Sequence, residues 1–269
     1  MSGFEEIVHI IPLGHEFDRV VKPFERFRAN RVYLLAITEK GDIPYVTKEM
    51  CERQRYFLKR VKNALEKMGI EVQVRSINTF DILDVMKHVS SIIRNEKRRK
   101  NIVYVNISGA GRLTSVATTL AAMAHKAKAY YVIADRYSKT EEEEREHGLS
   151  ICEKPSIMYI ENFQLNLPDE TSLKVLVELC KHERGMKTKD IIHFLKEMGI
   201  EEFDEDKILE ETRGDERKAQ QKLLTRLNKR ILDKLERNGY IIRERVGRYN
   251  TIKITETGRY VAHISGLLK

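Results

Sequence analysis

Up to about residue 160, continuous apolar runs alternate with stretches whose apolar residues recur every three or four positions. The runs at Ile7–Gly14, Arg31–Thr38, Glu71–Asn78, Ile102–Ser108 and Ala129–Ala134 predict strands. The first two are apolar almost throughout, as expected of strands covered on both faces. Between them, Asp18–Phe27, Lys48–Met68 and Phe80–Asn95 carry helical spacing, and another helix opens directly after Gly111. Ser156–Ile160 predicts one more strand at the sheet edge, and Thr140–Gly148 reads as a solvated loop or short exposed helix. Strands separated by helices in this way imply a parallel sheet clad on both faces, a Rossmann-like α/β domain.

The rhythm changes at Leu165–Ser172, where Pro168 breaks one element and Asp169 and Thr171 can cap the next. This predicts domains 1–168 and 169–269. In the second, helical patterns end at Gly185, Gly199 and Gly239, two short strands flank Gly247, and Glu256–Ile264 is a last helix. Three helices, a hairpin and a trailing helix predict a winged helix-turn-helix.

Along Arg217–Asn238, about 100° per residue puts Leu224, Leu227, Ile231, Leu232 and Leu235 on one broad arc. Arg226, Lys229, Arg230 and Arg237 fall together on the far side, with Asp233 among them. An ordinary solvated helix shares this pattern. What changes the picture is the company it keeps: Arg243, Arg245 and Arg248 surround the hairpin turn at Gly247. The residues expected to touch DNA are therefore Arg226, Lys229, Arg230, Arg237, Arg245 and Arg248.

Charge sharpens that expectation. The chain of 269 residues carries a net +8, but unevenly. Glu197–Glu216 holds ten acidic and two basic residues, and Arg217–Arg259 holds thirteen basic and four acidic. Such segregation suits a surface built for a polyanion. No apolar run reaches the roughly 20 residues of a membrane span, and no export signal opens the chain. Cys51, Cys152 and Cys180 are widely spaced with no CxxC pair, so no disulfide framework or zinc site is indicated. A cytoplasmic protein without a metal or resident cofactor is expected.

Two loops stand out where ligands collect in parallel sheets, beyond the carboxyl ends of strands. One is Pro12–Arg19, "PLGHEFDR"; the other is Asn106–Arg112, "NISGAGR". Gly109 and Gly111 allow close backbone approach, a helix start offers free N–H groups, and Arg112 adds positive charge, so a phosphate-bearing ligand fits. A tight strand-to-helix turn without a ligand would use the same glycines. The GxGxxG and GxxxxGK[ST] fingerprints are absent, which disfavours a nicotinamide-dependent dehydrogenase. No catalytic triad or metal-ligand cluster is legible.

The "PLG" loop after the first strand, the "N-x-[ST]-G" turn after the fourth and the C-terminal winged helix together resemble the CARF (CRISPR-associated Rossmann fold) transcription regulators, archaeal Csa-type or a close relative. Ala110 stands where that family usually has a second glycine. The resemblance implies a homodimer that binds a cyclic oligoadenylate across its two-fold axis. On matching positions Leu13, Gly14 and His15 line the pocket from one loop, and Asn106, Ser108, Gly109, Gly111 and Arg112 from the other. It implies a ligand-responsive regulator with a double-stranded, palindromic DNA operator. Two alternatives stay open. One is a slow, metal-independent phosphodiesterase that cuts its own ligand through Ser108 and Arg112. The other is a constitutive DNA-binding protein whose first domain only dimerises.

Overall fold

The apolar runs become the central strands of a six-stranded sheet. The computed structural model describes residues 5–39, 43, 46–163, 165–246 and 249–268, without the side chains of residues 246, 249 and 250. Contacts divide the chain into two units, Met1–Leu165 and Asn166–Leu268.

The first unit contains β1 (Ile7–Pro12), α1 (Asp18–Val21), β2 (Arg31–Ala36), α2 (Lys48–Lys67), β3 (Glu71–Ser76) and α3 (Ile82–Arg98). It continues with β4 (Ile102–Asn106), α4 (Arg112–Ala124), β5 (Lys128–Ile133), β6 (Arg136–Tyr137), α5 (Glu141–His147), β7 (Ser150–Ile151) and β8 (Ser156–Ile160). The sheet order is β3-β2-β1-β4-β5-β8, parallel except for β8, which runs antiparallel on the edge. Val8, Ile10, Ile11, Val32, Leu34 and Leu35 are fully buried because helices cover both faces of β1 and β2. Thr47 caps α2 by accepting from the Met50 N–H, and Asp81 caps α3 by accepting from Leu83 and Asp84.

This order has one functional consequence. The chain winds outward from β1 to β3, then returns to place β4 on the other side of β1. The loops leaving β1 and β4 therefore diverge, and a crevice opens at their carboxyl ends.

The second unit contains α6 (Glu170–Cys180), β9 (Met186–Lys187), α7 (Thr188–Glu197), a 3-10 turn (Glu201–Phe203) and α8 (Glu205–Glu211). Then come α9 (Glu216–Leu227), a π turn (Asn228–Leu232), α10 (Asp233–Arg237), β10 (Ile241–Val246), β11 (Tyr249–Ile254) and α11 (Glu256–Ile264). The hairpin pairs with β9 as a three-stranded sheet, β10-β11-β9. This is the winged helix arrangement, with α8 inserted ahead of its third helix. Asp215 starts α9 by accepting from the Lys218 N–H.

One expectation changes. Leu224 is 39% exposed, and the buried face is Ala219, Leu223, Leu227, Ile231, Leu232 and Leu235. The π turn accounts for the difference: it accommodates one extra residue, so a uniform 100° phase cannot be carried from Leu224 to Leu235. Each large aliphatic side chain in this row contributes about 1.5–3 kcal/mol by leaving water.

Candidate functional site

The crevice at the β1 and β4 ends is a cavity of about 360 Å³. Leu13, Gly14 and His15 form one wall, and Gly109, Gly111 and Arg112 form the other. The Gly14 N–H donates to the Gly109 carbonyl at 2.6 Å, which ties the two loops together. A Cβ on Gly109 would lie 2.8 Å from the Pro12 carbonyl oxygen and 3.1 Å from Val20, so this position must be bare for the loops to meet. Gly111 differs: its φ is −65° and a Cβ there would meet nothing within 4 Å. The fold does not need glycine at 111, and a side chain would fill space at the cavity.

Gly111 is also the N-cap of α4 and offers no side-chain acceptor. The first-turn N–H groups of α4 thus keep their capacity for an anion, with the helix dipole aligned to favour one. Arg112 is exposed beside them and pairs with no carboxylate among the described residues. His15 stacks on Phe57 at 5.7 Å between ring centroids. Its pKa is lowered by burial and then by nearby Arg53, so it presents a neutral imidazole at neutral pH. Glu16 also borders the cavity, and burial raises its carboxyl to about 7, against the hydroxyl donated by Ser150.

Asn106 and Ser108, expected to line the pocket, are buried and do not border the cavity. Asn106 Oδ1 accepts from the Ser108 N–H at 2.9 Å and its hydroxyl at 2.6 Å, and Asn106 Nδ2 donates to the Arg19 carbonyl at 3.1 Å. Ser108 Oγ in turn accepts from the Val132 N–H at 3.1 Å. These two side chains shape the turn, and their polar atoms are engaged within the protein.

The structure also adds Gln54, Thr79, Phe80 and Leu113 to the cavity. Gln54 Nε2 donates to the Gly14 carbonyl at 3.3 Å. Its signal was present in the sequence: a glutamine interrupts the buried row Cys51, Phe57, Val61 and Leu65 of α2. Phe80 and Leu113 gave no such signal, because their approach to the cavity depends on how α3 and α4 pack.

In the second unit, Arg226, Lys229 and Arg230 share a shallow groove along α9 and the π turn with Lys218, Gln221 and Thr225. Arg237 is exposed further along, at the end of α10, and Arg245 is exposed on β10; neither borders this groove. Arg248 lies outside the described residues, as does the turn residue Gly247. Arg243 is taken up by Asp233 at 2.5 Å and Glu236 at 3.1 Å.

The acidic insert faces this groove. Arg226 Nη1 donates to the Glu202 carbonyl at 2.6 Å, and its Nη2 lies 3.6 Å from Glu211. Arg230 pairs with the Glu202 carboxylate, and Lys222 reaches Glu211 at 2.6 Å. The hydrogen bond from Lys222 holds the Glu211 carboxyl below its ordinary value. Lys229 has no such partner among the described residues.

Among the described residues, no group of three His, Cys, Asp or Glu side chains is arranged to hold a metal ion, and no helix is long and apolar enough to cross a membrane.

Comparison with known proteins gives two family matches. Residues 7–137 match the model described as HFX_2341_N-like, N-terminal. Residues 171–266 match the DUF6293 C-terminal winged helix domain. Uncharacterized protein MJ1513 of Methanocaldococcus jannaschii is 24% identical over 235 residues, covering 78% of this chain and 68% of that protein. Three solved structures are similar at low identity. Can2 from Sulfobacillus thermosulfidooxidans, in complex with cyclic tetra-adenylate, has a TM-score of 0.38 and 16% identity, over 47% of this chain and 32% of that one. Protein VC1899 from Vibrio cholerae has a TM-score of 0.41 and 12% identity, over 96% and 64%. Enterococcus italicus Csm6, bound to cyclic hexa-2'-fluoro-hexa-dAMP, has a TM-score of 0.39 and 12% identity, over 78% and 54%. This chain thus spans between about a third and just under two thirds of those three structures. Its own architecture is a Rossmann-like α/β domain followed by a winged helix domain.

Proposed function

We propose that this protein is a nucleotide-responsive DNA-binding regulator. A phosphorylated ligand occupies the crevice between the β1 and β4 loops, and the winged helix binds duplex DNA. One observation carries the reading: an uncapped helix start and an arginine with no carboxylate partner among the described residues converge on a cavity at the switch point of the sheet. The "PLG" and "NISG" turns, which resemble those of CARF regulators, make a cyclic oligoadenylate the ligand of choice.

Leu113 and Val116 on α4, and Phe80 just ahead of α3, are exposed apolar side chains, and Leu113 and Phe80 both border the cavity. Their exposure supports a second copy against this face, so that a symmetric ligand is shared by two identical loops. Binding is favoured over ligand cleavage because the Ser108 hydroxyl is already engaged with Asn106 and Val132.

Titration calorimetry with cyclic tetra- and hexa-adenylate tests the ligand reading. Saturable heat with one ring per two chains, lost in Arg112→Glu, is the expected result. No heat with either ring, for protein shown to be folded, overturns it.

A further inference from the structure

The opposite end of the same sheet holds a second concave site, about 650 Å³ in volume. It lies at the amino end of β5, remote along the strands from the glycine turn. Strand register assembles it. Tyr104 on β4 stands beside Lys128 on β5, and Tyr130 stands beside Tyr159 on β8, so these four side chains share one face. Lys128 Nζ sits 5.3 Å from the centroid of the Tyr104 ring, which also stacks on His9 at 5.0 Å. Tyr159 is 52% exposed, which leaves aromatic surface open to the cleft.

Two ammonium groups, those of Lys126 and Lys128, border it. Lys126 follows the end of α4, which meets the end of α3, because Lys97 Nζ donates to the His125 and Lys126 carbonyls at 2.6 and 2.7 Å. Two helix ends present about one negative charge between them. Lys97 already answers the α4 carbonyls, yet Lys126 and Lys128, both on the cleft, are exposed as well. The Lys97 ammonium is pushed down by burial and by the proximity of Lys126, as crowded cations are. Among the described residues Glu161 is the one carboxylate on the cleft.

We propose that this cleft binds single-stranded nucleic acid, with a base stacked on Tyr159 and the adjoining phosphates held by Lys126 and Lys128. An exposed aromatic face flanked by ammonium groups is the chemistry by which single strands are held without sequence preference. A duplex keeps its bases stacked on one another and would leave the tyrosine unused. Its lining residues are distinct from those of the ligand cavity.

Fluorescence anisotropy with a labelled oligothymidylate tests it, using the full chain with Arg226→Ala and Arg230→Ala to silence the winged helix. Lys126→Glu with Lys128→Glu should weaken single-strand binding by about tenfold or more. Tyr159→Ala should weaken it by at least about fivefold and, made in the chain that keeps Arg226 and Arg230, leave duplex binding unchanged. Unaltered single-strand affinity in both variants overturns the proposal, as does a Tyr159→Ala loss that is equal for single strand and duplex.

Discussion

Arg226 on α9 donates to the main-chain carbonyl of Glu202, 24 residues earlier in the chain, at 2.6 Å. Through this bond and the pairs made by Glu202 and Glu211, the acidic insert lies against the cationic groove of the helix that would meet DNA. Carboxylates there occupy the cations that phosphates would otherwise engage, so DNA has to displace them.

Neutralising the insert should therefore strengthen DNA binding. Exposed ion pairs are worth about 0.2–1 kcal/mol each. Removing two or three as competitors in Glu202→Gln with Glu211→Gln should tighten duplex binding by about fivefold. Anisotropy with duplex DNA measures it, and equal or weaker binding would show that DNA does not contact this groove.

The arginines themselves set the salt dependence. Each lost phosphate contact lowers the slope of log K against log salt by about one. Arg226→Ala with Arg230→Ala should thus reduce the slope by about two and weaken binding. A slope equal to that of the parent would mean that another face enters the groove.

The two glycines of the β4 turn should separate fold from ligand binding. Gly109→Val drives a side chain into the Pro12 carbonyl and Val20, an overpacking that costs about 2–3 kcal/mol. Gly111→Val meets no neighbour and should keep stability within about 1 kcal/mol, the modest cost of valine at an N-cap. It should nevertheless abolish ligand heat, because it fills the approach to the α4 N-terminus. Denaturation midpoints and calorimetry on the two variants decide this.

Glu16 supplies a pH signature. Its folded pKa of about 7 lies above the ordinary 4.5, so the folded chain retains a proton that the unfolded chain releases. Its contribution is greatest below about pH 4.5 and is lost as pH rises towards 7, for a total of about 3 kcal/mol. Glu16→Gln removes this slope, so its stability relative to the parent should rise by about 2–3 kcal/mol across that window. Urea unfolding at a series of pH values reads the difference directly.

Much of this architecture was legible because burial leaves a periodic trace. β1 and β2 are covered on both faces, and their apolar runs locate them. The glycine turn was legible as a place, although its internal division of labour was not. Gly109 and Gly111 look alike in sequence, and only the packing of Pro12 and Val20 distinguishes them. Asn106 and Ser108 carry the polar groups of a binding loop, yet their hydrogen bonds turn inward to Arg19 and Val132. The acidic insert was legible only as charge, since α8 buries just Ile208 and so leaves little helical periodicity. A π turn gives no compositional sign at all, so helical periodicity alone places Leu224 on the buried face, whereas it is 39% exposed.

The most direct test of the central claim is duplex DNA affinity measured with and without saturating cyclic oligoadenylate. Differential binding is required for control, and a near-complete switch needs about 5.5 kcal/mol between two arrangements. The account predicts a change in Kd of at least about tenfold, absent in Gly111→Val. An affinity that ignores a ring shown to be bound would contradict it.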